Sequence, residues 1–232
     1  MATVKTPQPP ESSSAAGGAG GAGDETVPRL SRKERAAATR LRTLEAAHRE
    51  FTENGYQRTT MAAIARAAGV AVQTVHFVFH TKIELLGALV DHAVMSGPEG
   101  VEPEEAPWFR DAPSGATAQE ALTAFILASA PIMERASALN EVVREAARQD
   151  PDAALLFERL ERLRIDVYRS MLSRIVAAHP MPDPFDLDAA VDVLAVLFSP
   201  RTYLSLTKDR GWSAERAQAW LARSLPAAVL PE

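Results

Sequence analysis

The chain of 232 residues contains no cysteine. That excludes a disulfide framework, a thiolate nucleophile and a thiolate zinc finger. No apolar run reaches the ~18 residues of a membrane span, so no membrane segment is expected. The opening residues have neither the basic start nor the apolar stretch of a signal peptide. There is no serine-elbow motif and no glycine-rich phosphate loop, so enzyme chemistry has no anchor and no cofactor is expected. Strand patterns of useful length and internal repeats are missing too. A cytoplasmic, non-catalytic protein is the expectation.

What is present is unevenly distributed. Residues 1–28 include PQPPESSSAAGGAGGAG, which cannot bury enough surface to order itself, so a disordered tail is expected. The net charge of −5 hides a division. Residues 29–82 carry ten basic side chains (Arg29, Arg32, Lys33, Arg35, Arg40, Arg42, Arg49, Arg58, Arg66 and Lys82) against Glu34, Glu45, Glu50 and Glu53. That segment is strongly positive and the remainder is negative. A basic module on an acidic body is the footprint of phosphate contact.

Helix signals dominate. Ser31 with Glu34, Thr81 with Glu84 and Thr117 with Glu120 have capping-box spacing. The first helix is expected from about Arg32, with Leu41, Leu44, His48 and Phe51 as its buried stripe and Asn54-Gly55 as its stop. Short helices follow at about 61–68 and 71–77, and another from Lys82 to about Met95. Gly97 to Gly115 reads as a long loop. Body helices are expected at about 118–135, 137–149, 152–178, 187–199, 201–209 and 213–225. The fold class is therefore all-α: a helical head at 29–95 joined to a helical-bundle body at 117–225. Within the head, two short helices meet at Gly69. That is the build of a helix-turn-helix, at about 60–79, whose second helix enters the DNA major groove.

This arrangement resembles the TetR family of bacterial transcriptional regulators. The resemblance rests on Leu44, Ala47, Phe51, Gly55-Tyr56, Thr59-Thr60-Met61, Ile64-Ala65, Ala68-Gly69-Val70, Thr74-Val75, Phe79, Lys82 and Leu85-Leu86, and covers about 35–95. It implies a homodimeric, ligand-released repressor of double-stranded DNA. In this chain Gln73, Thr74, His76 and Phe77 are left facing outward, and Arg58, Thr59, Thr60, Thr74 and Lys82 are the candidate phosphate contacts. Gln73 can pair with adenine, and Phe77 or Val72 can meet a thymine methyl. The chain departs from the family where His76 replaces a usual tyrosine, Val78 a frequent histidine and Val72 a frequent lysine. The recognition helix consequently has no lysine or arginine.

Sharper chemistry has less support. Glu45-Ala-Ala-His48 spells half of a di-iron motif but has no second copy. His76 and His80 are four apart, yet His80 falls in the turn before the next helix. No metal site is expected. In the body, Pro131 interrupts a helical pattern, and Phe125, Ser129, Met133, Tyr168 and Met171 are candidates to line an opening beside it. Ordinary core with a kink is the alternative. The resemblance implies a small lipophilic or aromatic effector there. Ala189 to Phe198 is apolar all round except Asp192, which suggests a dimer interface through Val191, Leu194 and Phe198, with bundle interior as the alternative. A DNA-binding regulator whose body binds a protein partner, or no small molecule, is the second functional reading.

Overall fold

A computed structural model describes residues 31–95, 105, 107–110 and 115–231. The amino-terminal tail and most of the loop after Met95 lie outside the described residues. All regular structure among the described residues is helical: α1 (Arg32–Arg58), α2 (Met61–Ala68), α3 (Val72–Phe79), α4 (Lys82–Met95), α5 (Pro107–Arg110), α6 (Ala118–Ala146), α7 (Pro151–Ala178), α8 (Leu187–Leu197), α9 (Pro200–Leu204), a π-helical turn (Ser205–Asp209) and α10 (Ala214–Val229).

The head is built by its turn chemistry. Ser31 accepts from the Glu34 amide while the Glu34 carboxylate accepts from the Ser31 amide, which starts α1. Gly55 breaks it with φ 71°, a conformation that costs a side chain but not glycine. Thr60 caps α2 by accepting from the Ala63 amide. Gly69 then takes the left-handed conformation and returns its N–H to Ala65 and Arg66. The result is a bend of 111° between α2 and α3, inside the range of a helix-turn-helix.

The apolar stripe of α1 differs from the expected one. Leu44, Ala46, Ala47 and Phe51 are buried, whereas Leu41 is 43% exposed and His48 lies on the outer side. The packing of α1 against α2, α4 and α6 sets the buried face.

In the body, α6 is the central helix, packed against α1, α4, α7, α9 and α10. It runs unbroken from Ala118 to Ala146, where separate helices at about 118–135 and 137–149 were expected, and Pro131 lies inside it. Pro131 is exposed, and so is half of Leu127, whose carbonyl loses its partner. On that side water can take the orphan carbonyl, so the ring costs less than it would in the core. The other expected body helices are present, with α10 extending to Val229. Among the described residues, two stretches, Ala118–Ala146 and Leu187–Asp209, are long and apolar enough to cross a membrane by length and composition, a departure from the run-length expectation. The first is the bundle's central helix. The second is divided at Ser199-Pro200, where Ser199 starts a new helix by capping Thr202.

Two buried cores result. One is the body's own, centred on α6, α7, α8 and α10. The other joins the head to Ala136, Leu139, Val142, Val143 and Ala146 of α6 and to Ala153 and Leu160 of α7.

Candidate nucleic-acid interface and body cavity

The outward face of α3 carries Gln73, His76, Phe77 and Val78, all exposed, with Thr74 half-buried. Phe77 is 82% exposed, an unusual placement for a phenyl ring in a head whose other aromatic rings are buried. Val75 and Phe79, on the opposite face, pin the helix to the core. No side chain caps α3 at Ala71, so its first N–H groups are open to an anion. His76 Nδ1 lies 3.1 Å from the His80 carbonyl oxygen, and His80 holds φ 49°, ψ −60° in the sharp turn before α4. The two histidines thus fix that turn, and among the described residues no group of three or more metal-ligating side chains forms.

The expected phosphate contacts divide. Arg58 and Thr60 are exposed at the junction of α1 and α2. Thr59 is buried, and its hydroxyl donates to the carbonyls of Glu50 (2.9 Å) and Gly55 (2.8 Å). It fastens the break in α1, and its side chain is shielded from solvent. Lys82 also turns inward. Its Nζ donates to the carbonyls of Tyr56 (2.8 Å) and Thr59 (3.0 Å) and sits 4.0 Å from the centre of the Tyr56 ring. The cation thereby caps the negative end of α1. Burial lowers the Lys82 pKa, and the Asp150 carboxylate opposes that.

Asp150 is a site residue that the sequence did not single out. One oxygen accepts from the amides of Asp152 and Ala153 and so caps α7; the other accepts from the Tyr56 hydroxyl at 3.0 Å. The Tyr56 bond is the first cause of its lowered pKa. Burial, then the Asp150 bond, raise the Tyr56 pKa. One carboxylate therefore joins the start of α7 to the end of α1.

Between α6 and α7 lies a chamber of about 120 Å³. Phe125, Ser129, Met133 and Tyr168 line it, as their spacing suggested. Met171 does not: it is fully buried in the closed body core, one turn further along α7. Phe198 also lines the chamber, stacked 5.8 Å from Tyr168 and accepting its hydroxyl hydrogen bond at 2.6 Å. Burial pushes the Tyr168 pKa up to about 12, so the ring stays neutral. Val90 and Val94 of α4 close the wall on the head side, and Asn140 and Arg164 bring polarity. Arg164 was legible in principle: it is the charge set among Leu160, Leu163 and Val167 in the stripe of α7.

The dimer residues expected on α8 are corrected. Val191 and Leu194 have no exposed surface and Phe198 has 2%, because that stripe packs onto the chain's own core. The apolar side chains that α8 leaves exposed are Val193 and Val196, at 37% and 68%, and α10 contributes Trp220 at 37%.

Residues 44–89 match the model of the family described as bacterial regulatory proteins, tetR family. The HTH-type transcriptional regulator TtgR of Pseudomonas putida is 46% identical over 59 residues, which is 25% of this chain and 28% of TtgR. The chain thus aligns with under a third of that curated relative's length. The solved structure of NalD, the secondary repressor of the MexAB-OprM multidrug efflux pump in Pseudomonas aeruginosa, superposes with a TM-score of 0.64 at 18% identity, covering 85% of this chain and 99% of NalD. The transcriptional regulator FadR from Bacillus subtilis, solved with stearoyl-CoA, also gives 0.64 at 18% identity, covering 82% and 98%. At that identity the two structures speak for the fold, and the head alone carries the sequence likeness. The head thus carries the likeness to the tetR family of bacterial regulatory proteins, and the all-helical architecture matches that of the solved regulators.

Proposed function

We propose that the protein is a transcriptional repressor that binds a palindromic operator as a homodimer in the cytoplasm and is released by a small apolar or aromatic effector. The head, 29–95, takes the DNA; the body, 117–225, takes the effector and the second protomer. Arg58, Thr60 and Thr74 hold phosphates, and Gln73, His76 and Phe77 meet base edges. The exposed ring of Phe77 supports this assignment. Lys82 and Thr59 position that surface from behind. Val193, Val196 and Trp220 are the apolar groups proposed to meet a second copy.

The observation that carries the release mechanism is the chamber wall. Val90 and Val94 line the chamber and belong to α4, the helix whose first residue, Lys82, is tied to the end of α1. A molecule in the chamber presses on the helix that seats the head. Two heads must reach half-sites one helical turn, ~34–36 Å, apart, so a small change in α4 alters their fit. A coupling of roughly 1–3 kcal/mol between effector and DNA suffices.

The chamber's size favours keeping a second reading, in which the body binds a protein partner. At about 120 Å³ it holds about one aromatic ring, well below the ~300–1,000 Å³ of drug-sized sites. The test is a thermal-shift screen of aromatic and aliphatic compounds on the full chain, paired with fluorescence anisotropy on a selected operator duplex. The sensor reading expects compounds that both raise the melting temperature and release DNA. If no compound does both, the protein-partner reading moves ahead.

A further inference from the structure

A second hollow adjoins the chamber. It is a cleft of about 650 Å³ framed by α6, α7, α9, the π turn and α10. Asn140, Arg164 and Pro200 line both spaces and so form the boundary between them. The chemistry changes across that boundary. On the chamber side the walls are aromatic and aliphatic, whereas the cleft is lined by Arg144, Arg164, Arg201 and Arg210 against the single carboxylate of Glu161.

These arginines are not equivalent. Arg144 is held by Glu141 and Arg164 by Glu161. Arg201 and Arg210 are exposed, and among the described residues neither makes a salt bridge or a side-chain hydrogen bond. Arg201 influences Glu141 only through space, and that carboxylate is already engaged by Arg144. The Asn140 carboxamide, on that boundary, likewise has no hydrogen-bond partner among the described residues. An apolar chamber thus lies beside a cleft that carries two guanidinium groups whose forks match a carboxylate.

Resting on the sensor reading above, we propose that the effector is an amphiphilic carboxylate. A compact aromatic or aliphatic group fills the chamber, its linker passes Asn140, and Arg201 and Arg210 hold the acid in the cleft. The division resolves the small size of the chamber, since only part of the ligand has to fit there.

The experiment uses the full chain and two matched probes, 4-phenylbutanoate and 4-phenylbutanamide. Binding is followed by tryptophan fluorescence and DNA release by anisotropy. The acid should bind at least about tenfold tighter than the neutral amide, the difference made by a charge-assisted contact. The variant R201Q/R210Q should erase that preference, and R201K/R210K should restore part of it. Circular dichroism establishes that each variant is folded, and light scattering gives its oligomeric state. Equal binding of acid and amide, or an acid preference that survives R201Q/R210Q, overturns the proposal. So does binding of neither probe at millimolar concentration. A monomeric R201Q/R210Q variant overturns it as well, because the arginines would then serve a second protomer. Release of DNA by the amide as readily as by the acid removes the anion but leaves the sensor reading standing. Only a broad compound screen without DNA release defeats that reading.

Discussion

Replacing Lys82 with methionine keeps most of the aliphatic stem and removes the cation. The structure assigns that cation two hydrogen bonds, to the carbonyls of Tyr56 and Thr59, and a place over the Tyr56 ring. Hydrogen bonds to a charged group are worth about 1.5–3 kcal/mol, and an exposed cation–π contact about 0.5–1 kcal/mol. The amine is only partly buried, and water can replace some of what is lost. A net destabilisation of about 2 kcal/mol is therefore expected. For a chain of this length that lowers the melting temperature by roughly 4–8 °C, measured at fixed protein concentration because the proposed dimerisation would shift the midpoint. A second measurement decides the amine's role: DNA affinity against salt concentration. A lysine on phosphate changes that slope by about one unit, whereas a lysine turned into the head leaves it nearly unchanged. A variant that melts like the parent but loses one unit of salt slope would refute the inward role.

Three other outcomes are expected. Gln73→Ala should relax preference at one base pair per half-site by ~1–3 kcal/mol and leave random-sequence binding intact; an equal loss on all DNA removes Gln73 from base reading. Val196→Glu should give a folded monomer by light scattering and Leu194→Glu an unfolded chain by circular dichroism, since Val196 is 68% exposed and Leu194 fully buried. Asp150 has a lowered pKa, so it stabilises the fold above its unfolded value of ~3.9 and loses that contribution as pH falls through the lower folded value. Asp150→Asn should flatten the acid limb of a stability–pH curve, and an unchanged limb would count against the Tyr56–Asp150 tie.

The head was legible because its instructions are local. Ser31, Thr60, Gly69 and Thr81 each act on the next few backbone groups, and the structure places each at the boundary its chemistry implies. What failed needed long-range information. An apolar helix such as α8 does not reveal which side meets its own core. The stripe of Val191, Leu194 and Phe198 faces inward, and Val193 and Val196 face out. The boundary expected between 135 and 137 is absent, since α6 continues to Ala146 with Pro131 on its solvent-facing side. Lys82 was placed correctly on α4, but the carbonyls it meets lie 26 and 23 residues away, at the end of another helix. Val90 and Val94 gave no sign that they would face a hollow shared with α6 and α7.

The seam between the two cores matters to anyone who recombines such regulators. The sequence invites a cut in the loop between α4 and α6, yet the head's core runs on into Leu139, Val143 and Ala153 of the body. A hybrid joined in that loop would set one parent's Leu85, Leu86 and Leu89 against the other parent's α6 and α7. Small mismatches in volume there cost stability and blur the register of α4. A graft limited to the exposed face of α3, at Gln73, His76, Phe77 and Val78, leaves every one of those contacts in place. On the proposed function, operator preference is therefore the transferable property, and any effector response travels only with the whole chain.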